Sequence, residues 1–311
     1  MSAAGYFHAA ALMGTVVSIQ IAPRHDRDND PESRRAVTRA LDWFRAVEAA
    51  CNRFDPSSEI RRMAAQPGVA LDVSPMLFEA VQFALHVAEE TGGAFDPTVG
   101  LEMERRGFTH EYQSGRVTAS SLAPDDGISF RDVDLDPAAR TITLRRPLLL
   151  DLGAVAKGLA IDMAARELAP FEHFAIEAGG DLYLSGLNPD GEPWSVGIRH
   201  PRAEGHVLAT LHVSNTAVCT SGDYERRSPI DDTPHVVDAR THRPADTLAS
   251  VTVLAPSAMV ADALATAAFV LGPIEGLELL ERSGVEGLLV SPELERFSTR
   301  GMPGAAVLRH A

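Results

Sequence analysis

The segment Asp151-Leu-Gly-Ala-Val-Ala-Lys-Gly-Leu-Ala-Ile-Asp162 joins an apolar strand end, Leu148 to Leu150, to a glycine-bearing turn and then to a helix. It contains Lys157, the only lysine in the chain, because every other basic residue among the 28 is arginine. A planar guanidinium replaces such a compact ammonium poorly. An ammonium at a helix N-terminus is a recurring way to hold a phosphate, since unpaired N–H groups and the helix dipole favour negative charge. A plain strand-to-helix turn with a solvated lysine explains these residues at least as well.

The overall composition is that of a globular, acidic protein. Its 311 residues are 45% hydrophobic and 23% charged, which fits one large domain or two of ordinary size. The formal net charge of −15 argues against a nucleic-acid surface, because phosphate backbones are bound by clustered Lys and Arg. We therefore expect no nucleic-acid partner, although a local basic site for a small anion stays open.

The cysteines and the N-terminal segment bear on the location of the protein. Cys51 and Cys219 match no metal-ligand spacing. The apolar run from Ala9 to Ile21 is interrupted by polar residues and lacks the plan of a secretory signal, so we interpret it as a first strand. No apolar run approaches the length that spans a bilayer. We expect a cytoplasmic protein without a membrane span, while an already processed periplasmic form would have the same appearance.

Hydrophobic periodicity predicts an α+β fold with antiparallel or mixed sheets and helices packed on them. Apolar residues at helical spacing, with Pro31 and Pro75 at first helical positions and Gly92-Gly93 as a stop, predict helices near 31–51, 75–91, 155–168, 257–272 and 273–283. Short alternating runs predict strands at 17–21, 173–177, 181–185, 194–198, 207–213, 216–220 and 248–254. The strands come in groups rather than in regular alternation with helices, and no Gly-x-Gly-x-x-Gly fingerprint occurs, so a doubly wound sheet is disfavoured. We expect a single domain, 1–311, or two intimately packed subdomains.

Two constellations of polar residues could carry chemistry. Asp262 and Thr266 lie four residues apart on an apolar helix, where a hard cation such as Mg²⁺ would satisfy both oxygen ligands. A salt bridge for Asp262 and a bond from Thr266 to its own helix would serve as well. His235 opens an extended segment that ends at Asp238, a carboxylate that could orient the imidazole as a base. A lone histidine is, however, more often structural.

Taken together and in order, these segments resemble the ApbE family of Mg²⁺-dependent FAD:protein FMN transferases. The resemblance spans about residues 10 to 275. The matching segments are Met13-Gly-Thr15, Ser57-Ser-Glu-Ile60, Ala94-Phe-Asp-Pro-Thr-Val-Gly100, Asp151 to Gly158, Gly179-Gly-Asp181, Thr220-Ser-Gly-Asp-Tyr-Glu-Arg226, His235-Val-Val-Asp238 and Ala261-Asp-Ala-Leu-Ala-Thr266. The conjunction of these motifs is far more specific than any one of them.

The resemblance implies an ApbE-like, T-fold-like architecture with the flavin site between closely packed parts. It implies Mg²⁺ held by the Ala154 carbonyl oxygen, Asp262 and Thr266, and His235 as general base. FAD as substrate would be bound by the residues Met13, Phe54, Ala94, Phe95, Asp96, Asp151, Lys157, Gly180, Asp181 and Val237, with Lys157 also counted as catalytic. The partner would be an acceptor flavoprotein subunit, whose threonine hydroxyl attacks the FAD pyrophosphate on the riboflavin side and displaces AMP.

Three positions depart from the family pattern. Ala239 stands where proline is usual, His242 where glycine is usual, and Glu177 where a neutral asparagine is frequent. A positive φ at His242 would be strained, although histidine tolerates it better than most residues. An extra carboxylate at Glu177 could weaken binding of a flavin phosphate. The alternatives to FMN transfer are therefore a Mg²⁺-dependent FAD pyrophosphatase that yields FMN and AMP, a flavin-binding protein without turnover, and a scaffold that binds neither ligand nor metal.

Overall fold

An antiparallel sheet of eight strands organises the part of the chain that the computed structural model describes, residues 5–22, 31–110, 115, 117–123, 125 and 127–303. Its strands in spatial order are β1 (Tyr6–Leu12), β2 (Thr15–Ile21), β6 (Phe174–Ala178), β7 (Asp181–Ser185), β10 (Thr216–Gly222), β13 (Ser250–Ala255), β14 (Glu286–Val290) and β15 (Arg296–Ser298). Every neighbouring pair is antiparallel. The α+β prediction is confirmed.

The remaining elements form smaller sheets and the helices. The small sheets contain β3 (Leu71–Asp72), β5 (Thr141–Leu144) and β4 (Val133–Asp136), the hairpin β8 (Trp194–Arg199) with β9 (Val207–Val213), and the pair β11 (Val237–Asp238) with β12 (Arg243–Pro244). The helices are α1 (Pro31–Cys51), α2 (Glu59–Ala64), α3 (Pro75–Glu90), α4 (Gly100–Arg105), α5 (Ala156–Glu167) and α6 (Ala258–Arg282), with 3-10 turns at Pro97–Val99 and Phe130–Asp132.

The two faces of the large sheet have different cover. One face packs against α1, α5 and α6 and forms the main core, which includes Ile19, Ile176 and Phe269. The other face carries a smaller core under the β8–β9 hairpin, built around Trp194 and Leu211. Because strand side chains alternate between faces, this division decides which polar residues can meet a helix.

The helices α5 and α6 approach each other closely at Gly158. A Cβ atom at that position would lie 2.5 Å from the Met259 Cα atom and from the Ala258 carbonyl oxygen, so only glycine permits this contact. The contact brings the first turn of α5, which follows the 151–158 segment, against the first turn of α6. The 151–158 segment and the helix that carries Asp262 and Thr266, which the sequence predicts to form the site, therefore meet at one helix junction.

The structure corrects two details of the predicted elements. The apolar run before Ile21 forms a hairpin rather than a single strand, because Met13 and Gly14 both adopt positive φ, 51° and 72°, and turn the chain. The predicted helices 257–272 and 273–283 form one element, α6, with a kink at Gly272, where φ is 82°. By length and composition α6 alone among the described residues could cross a membrane, but more than half of its apolar window is buried in the fold, as in a core helix.

Candidate active site

Asp151 begins the 151–158 turn as a partly buried, paired carboxylate. One oxygen accepts a hydrogen bond of 2.8 Å from the Gly153 N–H, and the other accepts 2.7 Å from Nε of Arg53. Burial alone would raise the pKa of Asp151, but the Arg53 charge and the Gly153 N–H outweigh it and hold the pKa below its ordinary value. The carboxylate is therefore ionised and fixed by protein partners.

Arg53 connects this turn to two aromatic residues, and no sequence pattern marks it as part of the site. Its side chain is almost fully buried, at 6% exposure. Nη1 donates 2.9 Å to the Phe108 carbonyl oxygen, and the guanidinium lies 4.1 Å from the centroid of the Phe54 ring. The Phe108 ring in turn meets the His235 ring edge-on at 6.4 Å. Arg53 thus links the predicted flavin residue Phe54 to the surroundings of the predicted base.

His235 is held as a neutral imidazole with one nitrogen engaged. Its Nδ1 lies 3.2 Å from the Arg226 carbonyl oxygen, which its backbone N–H also contacts at 3.1 Å. Because a carbonyl only accepts, Nδ1 carries the proton and Nε2 keeps a lone pair. Burial and the Arg226 charge lower the pKa of His235 to about 4, against an opposing effect of Asp151. The imidazole is a base in its neutral form throughout the physiological range.

Asp238 does not orient His235, contrary to the sequence interpretation. Its two carboxylate oxygens accept hydrogen bonds of 3.0 and 2.9 Å from the Arg240 guanidinium, and one also accepts from the Arg240 N–H. The reason is local geometry, because a residue three positions along an extended segment projects away from the histidine, while the Arg226 carbonyl lies directly against it. A backbone carbonyl therefore fixes the tautomer.

Lys157 forms an ion pair with Asp181, the first residue of β7. Asp181 is only 2% exposed, so its carboxylate serves the lysine and does not itself lie open to a ligand. The Lys157 side chain keeps 24% exposure, and an ammonium has three donors, of which this pair uses one. Gly180, predicted beside Asp181 as a cofactor residue, has φ of +94° in the β6–β7 turn, a conformation that favours glycine.

Asp262 is a buried carboxylate with one oxygen that no described residue satisfies. It is 5% exposed, and its Oδ2 atom is buried without a hydrogen-bond partner. Burial raises the pKa of Asp262, while the Lys157 ammonium and a hydrogen bond from the Gly158 N–H lower it in part. An unpartnered buried carboxylate oxygen is costly, which indicates that something outside the chain completes its environment.

The predicted metal ligands fit a hard cation by their chemistry. Thr266 lies one helical turn after Asp262, and its hydroxyl contacts Ser221 Oγ at 2.9 Å. Ala154 lies in the turn that leads into α5 and offers only its carbonyl oxygen. The described residues contain no cluster of three or more His, Cys, Asp or Glu side chains that could hold a metal. One carboxylate, a hydroxyl and a carbonyl, with water or substrate phosphate completing the shell, suit Mg²⁺ rather than a transition metal.

The predicted flavin residues lie on neighbouring loops. The Ala94 carbonyl accepts a hydrogen bond of 3.3 Å from the Ala239 N–H, which joins the 94–100 loop to the segment after His235 and Val237. Ala94 is fully buried, and Phe95 and Val237 are both 8% exposed, so little of any of the three residues is open to solvent. The Asp96 carboxylate accepts from the Thr98 N–H and hydroxyl and from the Phe130 N–H, which gives it a structural role in the loop.

Met13 lies in the β1–β2 turn beside the Gly179–Gly180 turn. Its N–H donates 2.9 Å to Glu48 of α1, and a Cβ at Gly179 would meet the hydroxyl of Thr15, the residue that begins β2. The turn that contains Met13 thus adjoins the turn that leads to Asp181. The structure brings this residue towards the Lys157 side of the site.

Two of the departures from the family pattern have structural consequences. Glu177 is exposed and pairs in register with Leu182, so it lies on the hairpin face of the sheet, opposite the face of Asp181. Its charge is therefore separated from Lys157 by the sheet. His242 has φ of 55°, and its Nδ1 is buried without a partner, so the strain that the sequence anticipated is present.

Comparisons with known proteins agree with this arrangement. The family model described as the ApbE family matches residues 13–289. The FAD:protein FMN transferase of Haemophilus influenzae is 30% identical over 270 residues, 82% of this chain and 78% of the relative, and that of Escherichia coli K12 is 32% identical over 238 residues, 73% and 68%.

Solved structures show the same fold. The ApbE protein of Thermotoga maritima has a TM-score of 0.82 at 29% identity, and the flavin transferase ApbE of Vibrio cholerae has 0.81 at 26%. Each comparison covers 95% of this chain and 97% of the solved one. The sequence, the fold and the grouping of these residues lead to one conclusion: the chain belongs to the ApbE family.

Proposed function

We propose that this chain is a Mg²⁺-dependent FAD:protein FMN transferase that attaches FMN to a threonine hydroxyl of an acceptor protein and releases AMP. Its relatives named above are FAD:protein FMN transferases, which supports flavin transfer as the activity. The observation that carries the Mg²⁺ requirement is the buried, unpartnered Oδ2 atom of Asp262, next to the only lysine. A site for a divalent ion explains a carboxylate that the protein alone leaves unsatisfied.

The ion would be held by Asp262, the Thr266 hydroxyl and the Ala154 carbonyl oxygen. Bound there, a divalent ion would neutralise charge that develops on the phosphate oxygens. Lys157, held by Asp181, would donate to a pyrophosphate oxygen with a hydrogen that the ion pair leaves free. The glycine-bearing turn at 151–158 and the N-terminus of α5 would supply further positive potential.

The flavin half of FAD would lie along the neighbouring loops. Met13, Phe54 and Val237, with the backbone of Ala94 to Asp96, would contact the isoalloxazine and ribityl groups. Arg53 supports the Phe54 ring from one face and fixes Asp151 with the other side of its guanidinium, so it connects the flavin and diphosphate ends. This arrangement would align the bond that breaks with the incoming hydroxyl.

His235 would act as the general base. The threonine oxygen forms a bond to the phosphorus on the riboflavin side, the hydroxyl proton moves to Nε2, and the bridging P–O bond breaks with its electron pair going to AMP. The Arg226 carbonyl keeps the proton of the free imidazole on Nδ1, so Nε2 is available for this step. The pKa of about 4 means that the free base form predominates at neutral pH.

The test is a flavinylation assay with the purified chain. FAD, Mg²⁺ and a candidate acceptor domain are mixed, and flavin fluorescence of the acceptor on a denaturing gel is measured together with AMP. The controls are EDTA and the same acceptor with its target threonine replaced by valine. We expect a fluorescent band and equimolar AMP only with Mg²⁺ and threonine. AMP with a dark acceptor band would indicate hydrolysis of FAD and contradict the transferase, and FAD that stays intact would contradict both.

A further inference from the structure

Asp162 of α5 binds the first turn of α6 across the helix junction. One of its oxygens accepts hydrogen bonds of 2.6 Å from Ser257 Oγ and 3.0 Å from the Met259 N–H, and the other accepts 2.7 Å from the Ala258 N–H. The first N–H groups of a helix have no partner within the helix, so a carboxylate supplied by another element satisfies them and also favours the positive end of the dipole. The N-terminus of α6 is thereby tied to α5.

The junction is constrained by further contacts. Gly158, one turn before Asp162 and therefore on the same side of α5, allows the α5 backbone to touch Ala258 and Met259. The Cys219 thiol of β10 donates to the Ala258 carbonyl oxygen at 3.6 Å. Because the backbone contact leaves no space, a shift of α6 along α5 would break these contacts together.

The second contact runs in the opposite direction, from α6 back to α5. Asp262 lies one turn after Ala258 on α6 and accepts a hydrogen bond from the Gly158 N–H, while Lys157 next to that N–H stabilises its charge. Each helix therefore contributes an aspartate to the first turn of the other. Asp162 has all its contacts satisfied by the chain, whereas Asp262 keeps one oxygen unpartnered.

We propose that Asp162 is a positioning residue for the ion site. By fixing where α6 begins on α5, it sets the position of Asp262 and Thr266 relative to Lys157 and to the Ala154 carbonyl. The inference rests on the proposed function, since the ion site is part of it. Displacement of a catalytic group by about 1 Å can lower the rate roughly 10²-fold. A shift of α6 by a fraction of a turn would therefore reduce the rate of the reaction.

The experiment separates positioning from a general loss of stability. Ser74 caps α3 in the ordinary way, since its Oγ accepts from the Leu77 N–H at 3.2 Å, away from the α5–α6 junction. Ser74→Ala is therefore a matched control for the loss of a helix cap. The variants Asp162→Ala and Ser257→Ala remove all or one of the three contacts to Asp162, and Ser257→Ala is available should Asp162→Ala fail to fold.

The readouts are the Mn²⁺ dissociation constant, from the electron paramagnetic resonance signal of free Mn²⁺, and the Mg²⁺ concentration that gives half-maximal AMP release. We expect Asp162→Ala to raise both at least tenfold, Ser257→Ala to raise both by a smaller factor, and Ser74→Ala to leave both within twofold at a similar loss of Tm. Wild-type ion affinity in a folded Asp162 or Ser257 variant would overturn the inference alone. A wild-type chain that binds no Mn²⁺ would instead contradict the ion site of the proposed function.

Discussion

Replacing Asp262 with alanine should make the metal-free protein more stable, not less. The carboxylate is buried and its Oδ2 atom has no partner, a situation that costs about 1–3 kcal/mol. The substitution also removes the hydrogen bond from Gly158, which contributes about 0.5–1.5 kcal/mol. Alanine is favoured in helix interiors. The net gain in the free energy of unfolding is about 1 kcal/mol, or roughly 2 °C in Tm.

Mg²⁺ should reverse this order. An ion that binds only the folded state at about 100 times its dissociation constant stabilises by about 2.7 kcal/mol. The wild-type chain should gain this increment, and Asp262→Ala should gain none because its principal ligand is absent. The variant is therefore expected to unfold above the wild type in EDTA and below it in Mg²⁺.

The pH dependence of the metal-free protein provides an independent check on the same carboxylate. Burial raises the pKa of Asp262 in the folded state above its value in the unfolded chain, so folding favours the protonated form. Below the unfolded pKa of about 3.9 this group costs nothing, and its cost develops as the pH rises through the folded pKa. The stability difference between Asp262→Ala and wild type should therefore widen with increasing pH in EDTA.

The assay is thermal unfolding followed by circular dichroism, in EDTA and in saturating Mg²⁺, with Glu177→Ala as the control. Glu177 is an exposed carboxylate on the opposite face of the sheet, so its removal should leave the Mg²⁺-dependent shift unchanged. A lower Tm for Asp262→Ala in EDTA, together with a retained Mg²⁺ shift, would refute the reasoning.

Three further substitutions test other parts of the account. His235→Ala should slow FMN transfer by a factor of roughly 10²–10⁴ while FAD affinity stays within a few-fold. The wild-type rate should fall only as the pH approaches 4, where His235 protonates, and a fall near pH 6.5 would contradict the lowered pKa. Lys157→Arg should reduce turnover at least tenfold despite equal charge, because a planar guanidinium replaces poorly the compact ammonium that pairs with Asp181 and stabilises the Asp262 charge. A normal rate in the same assay would remove the need for lysine. His242→Gly should raise Tm by roughly 2 °C by relieving about 1 kcal/mol of strain at φ of 55°, and an unchanged melting curve would show that the strain is negligible.

The sequence predicted most helices and strands because their patterns are local. The spacing of apolar residues placed α1, α3 and α5 to within a few residues of their observed ends. The β1–β2 hairpin was missed, because Met13 adopts a positive φ that methionine rarely shows and no turn signal other than Gly14 marks the reversal.

The site is formed by contacts between segments that are distant in the chain, and hydrophobic periodicity carries no information about such contacts. Lys157 and Asp262 stood out singly, but only the order of the family motifs suggested that they meet. Arg53 and Asp162 gave no signal, since a buried arginine in a turn and an aspartate on a helix have no distinctive spacing. The proposed partnership of His235 with Asp238 failed because proximity in sequence was taken for proximity of side chains.

The central claim is that the 151–158 turn and α6 together hold a divalent ion against the FAD diphosphate. The most direct measurement is anomalous diffraction from crystals of the chain soaked with FAD and Mn²⁺. We predict one strong peak about 2.0–2.2 Å from Asp262 Oδ2, with Thr266 Oγ1 and the Ala154 carbonyl oxygen as further ligands and the diphosphate beside it. Bound FAD with the Mn²⁺ peak elsewhere, or with the Asp262 carboxylate outside its coordination shell, would contradict the account.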